Sequence, residues 1–115
     1  PPDALVRSRQ FMEANLDRPV SLSRLSREAN LSVSRFSEVF RFHYGMPPVQ
    51  YLSDLRMKRA ALLLADHDLS VAQVSAMVGY ADPLYFSKAF KKRWGLAPRD
   101  YRRRGNRREA PDEDG

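Results

Sequence analysis

Apolar residues recur at spacings of three and four along most of the chain, separated by short stretches rich in Ser, Asn, Gly and Pro. Such spacing marks amphipathic helices. Leu5, Ser8, Met12 and Leu16 give a core face to a first helix from Asp3 to about Leu16. Ser21 caps a second helix to about Ala29, and Asn30 can take the left-handed conformation that ends it. Ser32 caps a third, to about Tyr44, with Phe36, Val39 and Phe40 as its apolar stripe. Pro48 to about Ala65 reads as one longer helix carrying Tyr51, Leu52, Leu55, Ala60 and Leu63 inward. Ser70 and Gln73 can form a capping box for a fifth helix, which Gly79 ends because glycine enters positive φ without a Cβ penalty. Asp82 then serves as N-cap and Pro83 as first residue of a sixth, in which Phe86, Ala89, Phe90 and Trp94 form the stripe. A last short helix starts near Pro98 and buries Tyr101. No alternating strand pattern of useful length is present. The fold class is all-α, with about seven helices.

The pattern repeats. Phe36, Phe40, Gly45, Pro48 and Tyr51 return fifty residues later as Phe86, Phe90, Gly95, Pro98 and Tyr101. Upstream the offset is forty-nine: Ser21, Leu22, Leu25 and Leu31 answer to Ser70, Val71, Val74 and Tyr80. The second copy therefore holds one extra residue in the short stretch before Phe86, where a turn belongs. Each copy, at about 20–45 and 69–95, is helix, tight turn, helix. Ser26 and Ser75 lie four residues before Asn30 and Gly79 and let the two helices cross closely. Two such helices form a helix-turn-helix, and the long helix at about 48–65 links the two units. An αα-hairpin in a bundle is the alternative for a single copy. The duplication and the basic second helices argue against it.

Composition narrows the class. The 115 residues fit one domain or two very small ones, with 43% hydrophobic and 30% charged residues. The longest apolar run, Ala60 to Ala65, is far short of the ~20 residues of a membrane span, so no membrane partner is expected. The chain opens Pro-Pro-Asp without a Met or a secretory segment and reads as a fragment. Zero Cys excludes disulfides, thiolate metal sites and Cys nucleophiles together, and suits a cytoplasmic protein. A net charge of +6 favours a polyanionic partner. Five Arg in 102–108 precede four acids in 109–115, so residues 102–115 read as a disordered basic-then-acidic tail whose blocks nearly cancel. Residues 1–101 form the domain and keep a net +5.

Rival chemistries fare poorly. His43 and His67 are the only imidazoles, with no HExxH and no glycine-rich phosphate loop, so no catalytic residue and no cofactor is expected. The run Ala65-Asp66-His67-Asp68 sits at a helix end, where it more readily supplies caps and solvated charge than a metal site. Partner binding through apolar helices would need an exposed hydrophobic stripe, whereas the exposed helices are basic. The sheet with aromatic platforms used for RNA is missing.

The stretch SVAQVSAMVGYADPLYFSKAFKKRWGLAPRDYR, at 70–102, resembles the C-terminal DNA-binding domain of the AraC family of bacterial transcription regulators. The resemblance rests on Gly79-Tyr80, Asp82, Tyr85-Phe86-Ser87-Lys88, Phe90-Lys91-Lys92, Gly95, Pro98 and Tyr101, and extends over about residues 4–102. It implies two helix-turn-helix units on a central linker helix, each placing its second helix in a major groove of double-stranded DNA. It implies transcription regulation in the cytoplasm, RNA polymerase as a partner if the protein activates, and an effector only through an N-terminal domain missing here. One departure stands out: Pro47 and Ala97 occupy places where the family often has a small polar residue, so two helix starts lack a side-chain cap.

The reading helices are then about 32–44 and 82–94. Ser34, Arg35, Ser37, Glu38 and Arg41 project away from the first stripe. Arg35 can donate two bonds to a guanine edge and Glu38 can accept from a cytosine amino group; a surface ion pair, Arg35–Glu38 or Glu38–Arg41, is the alternative. In the second unit Leu84, Tyr85, Ser87 and Lys88 form the outward N-terminal half. Leu84 offers a thymine methyl contact without a hydrogen bond, so this helix should read sequence more loosely. The resemblance suggests the groove edge for Tyr85, and a core-covering role is the equal alternative. Base reading is thus expected of Ser34, Arg35, Ser37, Glu38, Leu84, Tyr85 and Lys88. Phosphate contact is expected of Arg41, Ser87, Lys91 and Lys92. Because the two faces differ, the site should be asymmetric. A linker of about 27 Å, set against grooves about 34 Å apart, should also bend the DNA toward the protein.

Overall fold

A computed structural model describes residues 2–108 of the chain. Among these residues are seven helices and no strand: α1 (Asp3–Ala14), α2 (Leu22–Glu28), α3 (Val33–Tyr44), α4 (Pro48–Leu63), α5 (Val71–Met77), α6 (Pro83–Trp94) and α7 (Pro98–Arg108). The chain divides into two compact units, one through Arg56 and the other from Met57 onward. The first half of α4 belongs to one and the second half to the other.

In the first unit Leu5, Met12, Leu16, Leu25, Ala29, Phe36, Phe40 and Leu52 form the core. Helix α1 stops at Ala14, earlier than its apolar spacing suggests, because the Asn15 side-chain amide donates to the Phe11 carbonyl at 2.8 Å. Leu16 still reaches the core from beyond the helix end. In the second unit the core is Met57, Ala60, Leu64, Val74, Val78, Phe86 and Phe90. Here α4 ends at Leu63 rather than Ala65. Its last turn tightens, with the N–H groups of Ala65 and Asp66 donating three residues back to Leu62 and Leu63. Leu64, rather than Leu63, is fully inward, in helical step with the buried Met57 and Ala60.

The caps match the chemistry of their residues. Ser21, Ser32 and Ser70 accept from the third N–H of their helices, Ser70 and Gln73 close a reciprocal box, and Asp82 accepts from Leu84. Pro47 and Ala97 contribute only their carbonyls, which accept from Tyr51 at 3.0 Å and Tyr101 at 2.9 Å. One expectation needs correcting. Residues 102–108 continue α7 rather than forming part of a disordered tail. The reason is Arg102. Its guanidinium donates to the carbonyls of Leu64 at 2.8 Å, Asp66 at 3.2 Å and Leu69 at 2.6 Å, all in the connection between α4 and α5. The acidic stretch 109–115 lies outside the described residues.

Candidate nucleic-acid interface

Each helix-turn-helix is built on the same hydrogen bonds. The Leu31 N–H donates to Ser26 O at 3.0 Å and the Asn30 N–H to Arg27 O at 3.0 Å. In the second unit Tyr80 donates to Ser75 at 2.9 Å and Gly79 to Ala76 at 3.1 Å. These are two Schellman closures, each needing one residue at positive φ. Asn30 supplies it at 58° and Gly79 at 89°. Behind the turns Ser26 and Ser75 are buried, their hydroxyls donating to Ser23 O and Tyr80 O, so a small residue sits at each close approach without a stranded polar group.

The second helices are then locked from below by aromatic rings. Phe40 meets Tyr51 edge-on at 5.3 Å and 82°, and Phe90 meets Tyr101 at 5.2 Å and 84°. With Phe36 and Phe86 fully buried beside them, one face of α3 and one face of α6 are fixed inward. The rest follows from helical periodicity. Over residues 32–45 and 82–95 the sequence of exposed, half-buried and buried positions is the same at every step.

Ser34, Arg35, Glu38 and Arg41 are exposed on α3, while Ser37 is half-buried. Leu84, Tyr85, Lys88, Lys91 and Lys92 are exposed on α6, while Ser87 is half-buried. Each predicted set shares a single helix with its neighbours. Arg35 and Glu38 pair at 3.1 Å, with side chains 62% and 71% exposed. Such a pair is worth a few tenths of a kcal/mol, so exchanging it for a base edge costs little. Arg41, Lys88, Lys91 and Lys92 enter no ion pair among the described residues. Tyr85 rests against Tyr80, ring centroids 5.8 Å apart, yet remains 64% exposed, so it covers Tyr80 and faces solvent at once. The Asp66 carboxylate accepts from the Asp68 N–H at 3.0 Å and so closes a local turn. Sequence reasoning missed Phe42, exposed on α3, and the role of Arg102; an apolar residue off the stripe was the signal for Phe42.

A family profile described as a helix-turn-helix domain matches residues 25–104. The MmsAB operon regulatory protein of Pseudomonas aeruginosa is 38% identical over 94 residues, which is 82% of this chain. The chain belongs to the AraC family. It forms the DNA-binding domain of that family, whose members are transcription regulators rather than enzymes. The arabinose operon regulatory protein of Salmonella typhimurium is 35% identical over 104 residues, 89% of this chain. The chain spans 31% and 37% of the lengths of these two relatives. The DNA-binding domain of AdpA, solved in complex with a target DNA, superposes with a TM-score of 0.86 at 27% identity, covering 94% of this chain and 98% of that one. An AraC-type regulator from Chromobacterium violaceum gives a TM-score of 0.84 at 25% identity, covering 95% and 96%. No described helix is long and apolar enough to cross a membrane.

Proposed function

We propose that this domain binds an asymmetric promoter site in the bacterial cytoplasm, with α3 and α6 in successive major grooves and the duplex bent between them. The observation that carries this reading is the contrast between matched exposure and unmatched chemistry. Both helices present the same positions, but α3 offers Arg35 and Glu38 where α6 offers Tyr85 and Lys88. Bidentate Arg and an acceptor Glu discriminate base edges; Leu84 offers only a methyl contact, Tyr85 and Lys88 single contacts, and Lys91 and Lys92 hold phosphates, all of which discriminate less. The first unit therefore specifies sequence and the second adds affinity. Ser34 and Ser37 take part in base reading beside Arg35, and Arg41 and Ser87 hold phosphates. RNA polymerase would be the partner of an activator, and an effector would act through a domain N-terminal to this one.

Selection of bound sequences from random duplexes tests the reading. The expected motif has one sharply defined half and one diffuse half. Two equally sharp half-sites, or a palindrome, would overturn it. Circular-permutation mobility tests the bend, and unbent DNA would remove that part.

A further inference from the structure

Phe42 is 82% exposed, more than any other large apolar side chain among the described residues. A lone exposed apolar residue is ordinary; the position of this one is not. Arg35, Glu38 and Phe42 stand at i, i+3 and i+7, a single stripe down the outward side of α3. His43 touches the ring edge-on, centroids 5.1 Å apart at 90°, which restrains the ring but leaves it largely open to solvent. The matching position of the second unit is Lys92, equally exposed. In a helix that enters the groove by its N-terminal half, a residue two turns beyond the reading residue lies where the helix meets the sugar-phosphate strand.

We propose that Phe42 is a DNA-contacting residue whose ring packs on the deoxyribose of the strand flanking the bases read by Arg35. The inference rests on α3 being the reading helix. A phenyl ring has no donor for a phosphate, so what it offers the strand is apolar cover for the sugar and exclusion of water. Lys92 does the opposite job on α6, holding a phosphate by charge. The two helices thus close on the backbone by different forces, one insensitive to salt and the other screened by it.

The test is fluorescence anisotropy with a labelled selected duplex, across a salt series, for Phe42→Ala, Phe42→Lys, Lys92→Ala and Arg35→Ala. Phe42→Ala should weaken selected and random duplexes alike by roughly tenfold, the scale expected from covering about half an exposed ring. Its dependence of log K on log salt should stay unchanged. Phe42→Lys should steepen that slope by about 0.9 and Lys92→Ala should flatten it by the same amount. If Phe42→Ala binds like the wild type while Arg35→Ala relaxes the selected motif, α3 reads DNA and Phe42 is not on it. If neither substitution matters, the assignment of α3 falls and this proposal with it. Sedimentation of Phe42→Ala completes the set. A changed association state with unchanged DNA affinity would mean the ring meets protein, and would also overturn the proposal.

Discussion

The two helix-turn-helix units share a skeleton and differ in almost every exposed side chain. Their Schellman turns, their αL residues after α3 and α6 (Gly45 at 80°, Gly95 at 85°) and their Phe–Tyr edge contacts agree closely. Nearby buried or half-buried positions diverge where their surroundings do. Tyr44 becomes Trp94, whose indole N–H donates to Met57 O at 3.1 Å. Leu52, buried in the first core, becomes Arg102, which binds three carbonyls. Leu55, packed on the first core, becomes Gly105, which lines an open groove. Duplication therefore preserved what shapes the turn and presents the second helix. The positions free to change are those that the turn and the ring lock do not use.

The ring lock is where the largest effect is expected. Phe40→Ala and Phe90→Ala each remove a fully buried ring from between aromatic neighbours, at about 3–5 kcal/mol. Against a typical total of about 5–15 kcal/mol, either should leave the domain marginal. The two costs should lie close together in urea melts. A Phe90→Ala variant that melts like the wild type would break the equivalence of the units.

Arg102→Ala comes next, at about 1.5–3 kcal/mol for charge-assisted bonds to three carbonyls. The informative variant is Arg102→Leu, which copies the Leu52 of the first unit. It should not recover the loss, because the need at this position is for donors and not for apolar volume. A denaturation midpoint for Arg102→Leu equal to the wild type would show that α7 is held by packing alone.

On DNA, Arg35→Ala should cost about 1–3 kcal/mol and relax preference at one base pair, while Lys91→Ala should weaken all sequences about equally. Binding-site selection on each variant separates the two outcomes. If Lys91→Ala changed the preferred motif, the division into a reading unit and an anchoring unit would not hold.

Much of this was legible because the determinants are local. Ser21, Ser32, Ser70, Asp82, Asn30 and Gly79 act on their own helix ends, and the Phe36/Phe40 and Phe86/Phe90 stripes follow from helical spacing alone. One failure is long-range. Nothing in the neighbourhood of Arg102 shows that its acceptors lie 33 to 38 residues upstream, so an Arg-rich stretch reads as tail. Leu64 is a miss of another kind: it stands seven and four residues after Met57 and Ala60, so spacing carried it, but only a stripe that includes Met57 picks it out over Leu63. Tyr85 was ambiguous for a different reason: its ring has two sides, and the structure uses one for Tyr80 and leaves the other open.

The smallest expected effect is a gain, and it tests how complete the resemblance between the units is. Gly105 lies inside α7, where glycine costs about 1 kcal/mol relative to alanine through backbone entropy. Its φ is not in the left-handed region, and a Cβ built there meets nothing within 4 Å. No turn, strain or close approach requires glycine here. The groove beside it, about 500 Å³ and lined by Trp94, Leu96, Tyr101 and Arg104, is the space that opens where the first unit carries Leu55. Gly105→Ala should therefore stabilise the domain by about 0.5–1 kcal/mol, raising Tm by roughly 2–8 °C for a domain of this size. Gly105→Leu should do at least as well if the added side chain settles against Tyr101 as Leu55 settles against the first core. Thermal melts followed by circular dichroism measure both. Gly105→Ala giving no gain would mean α7 contributes little stability beyond Arg102. A gain for Ala that disappears for Leu would mean that the groove cannot close as its counterpart does, and that the likeness of the two units ends at Tyr101.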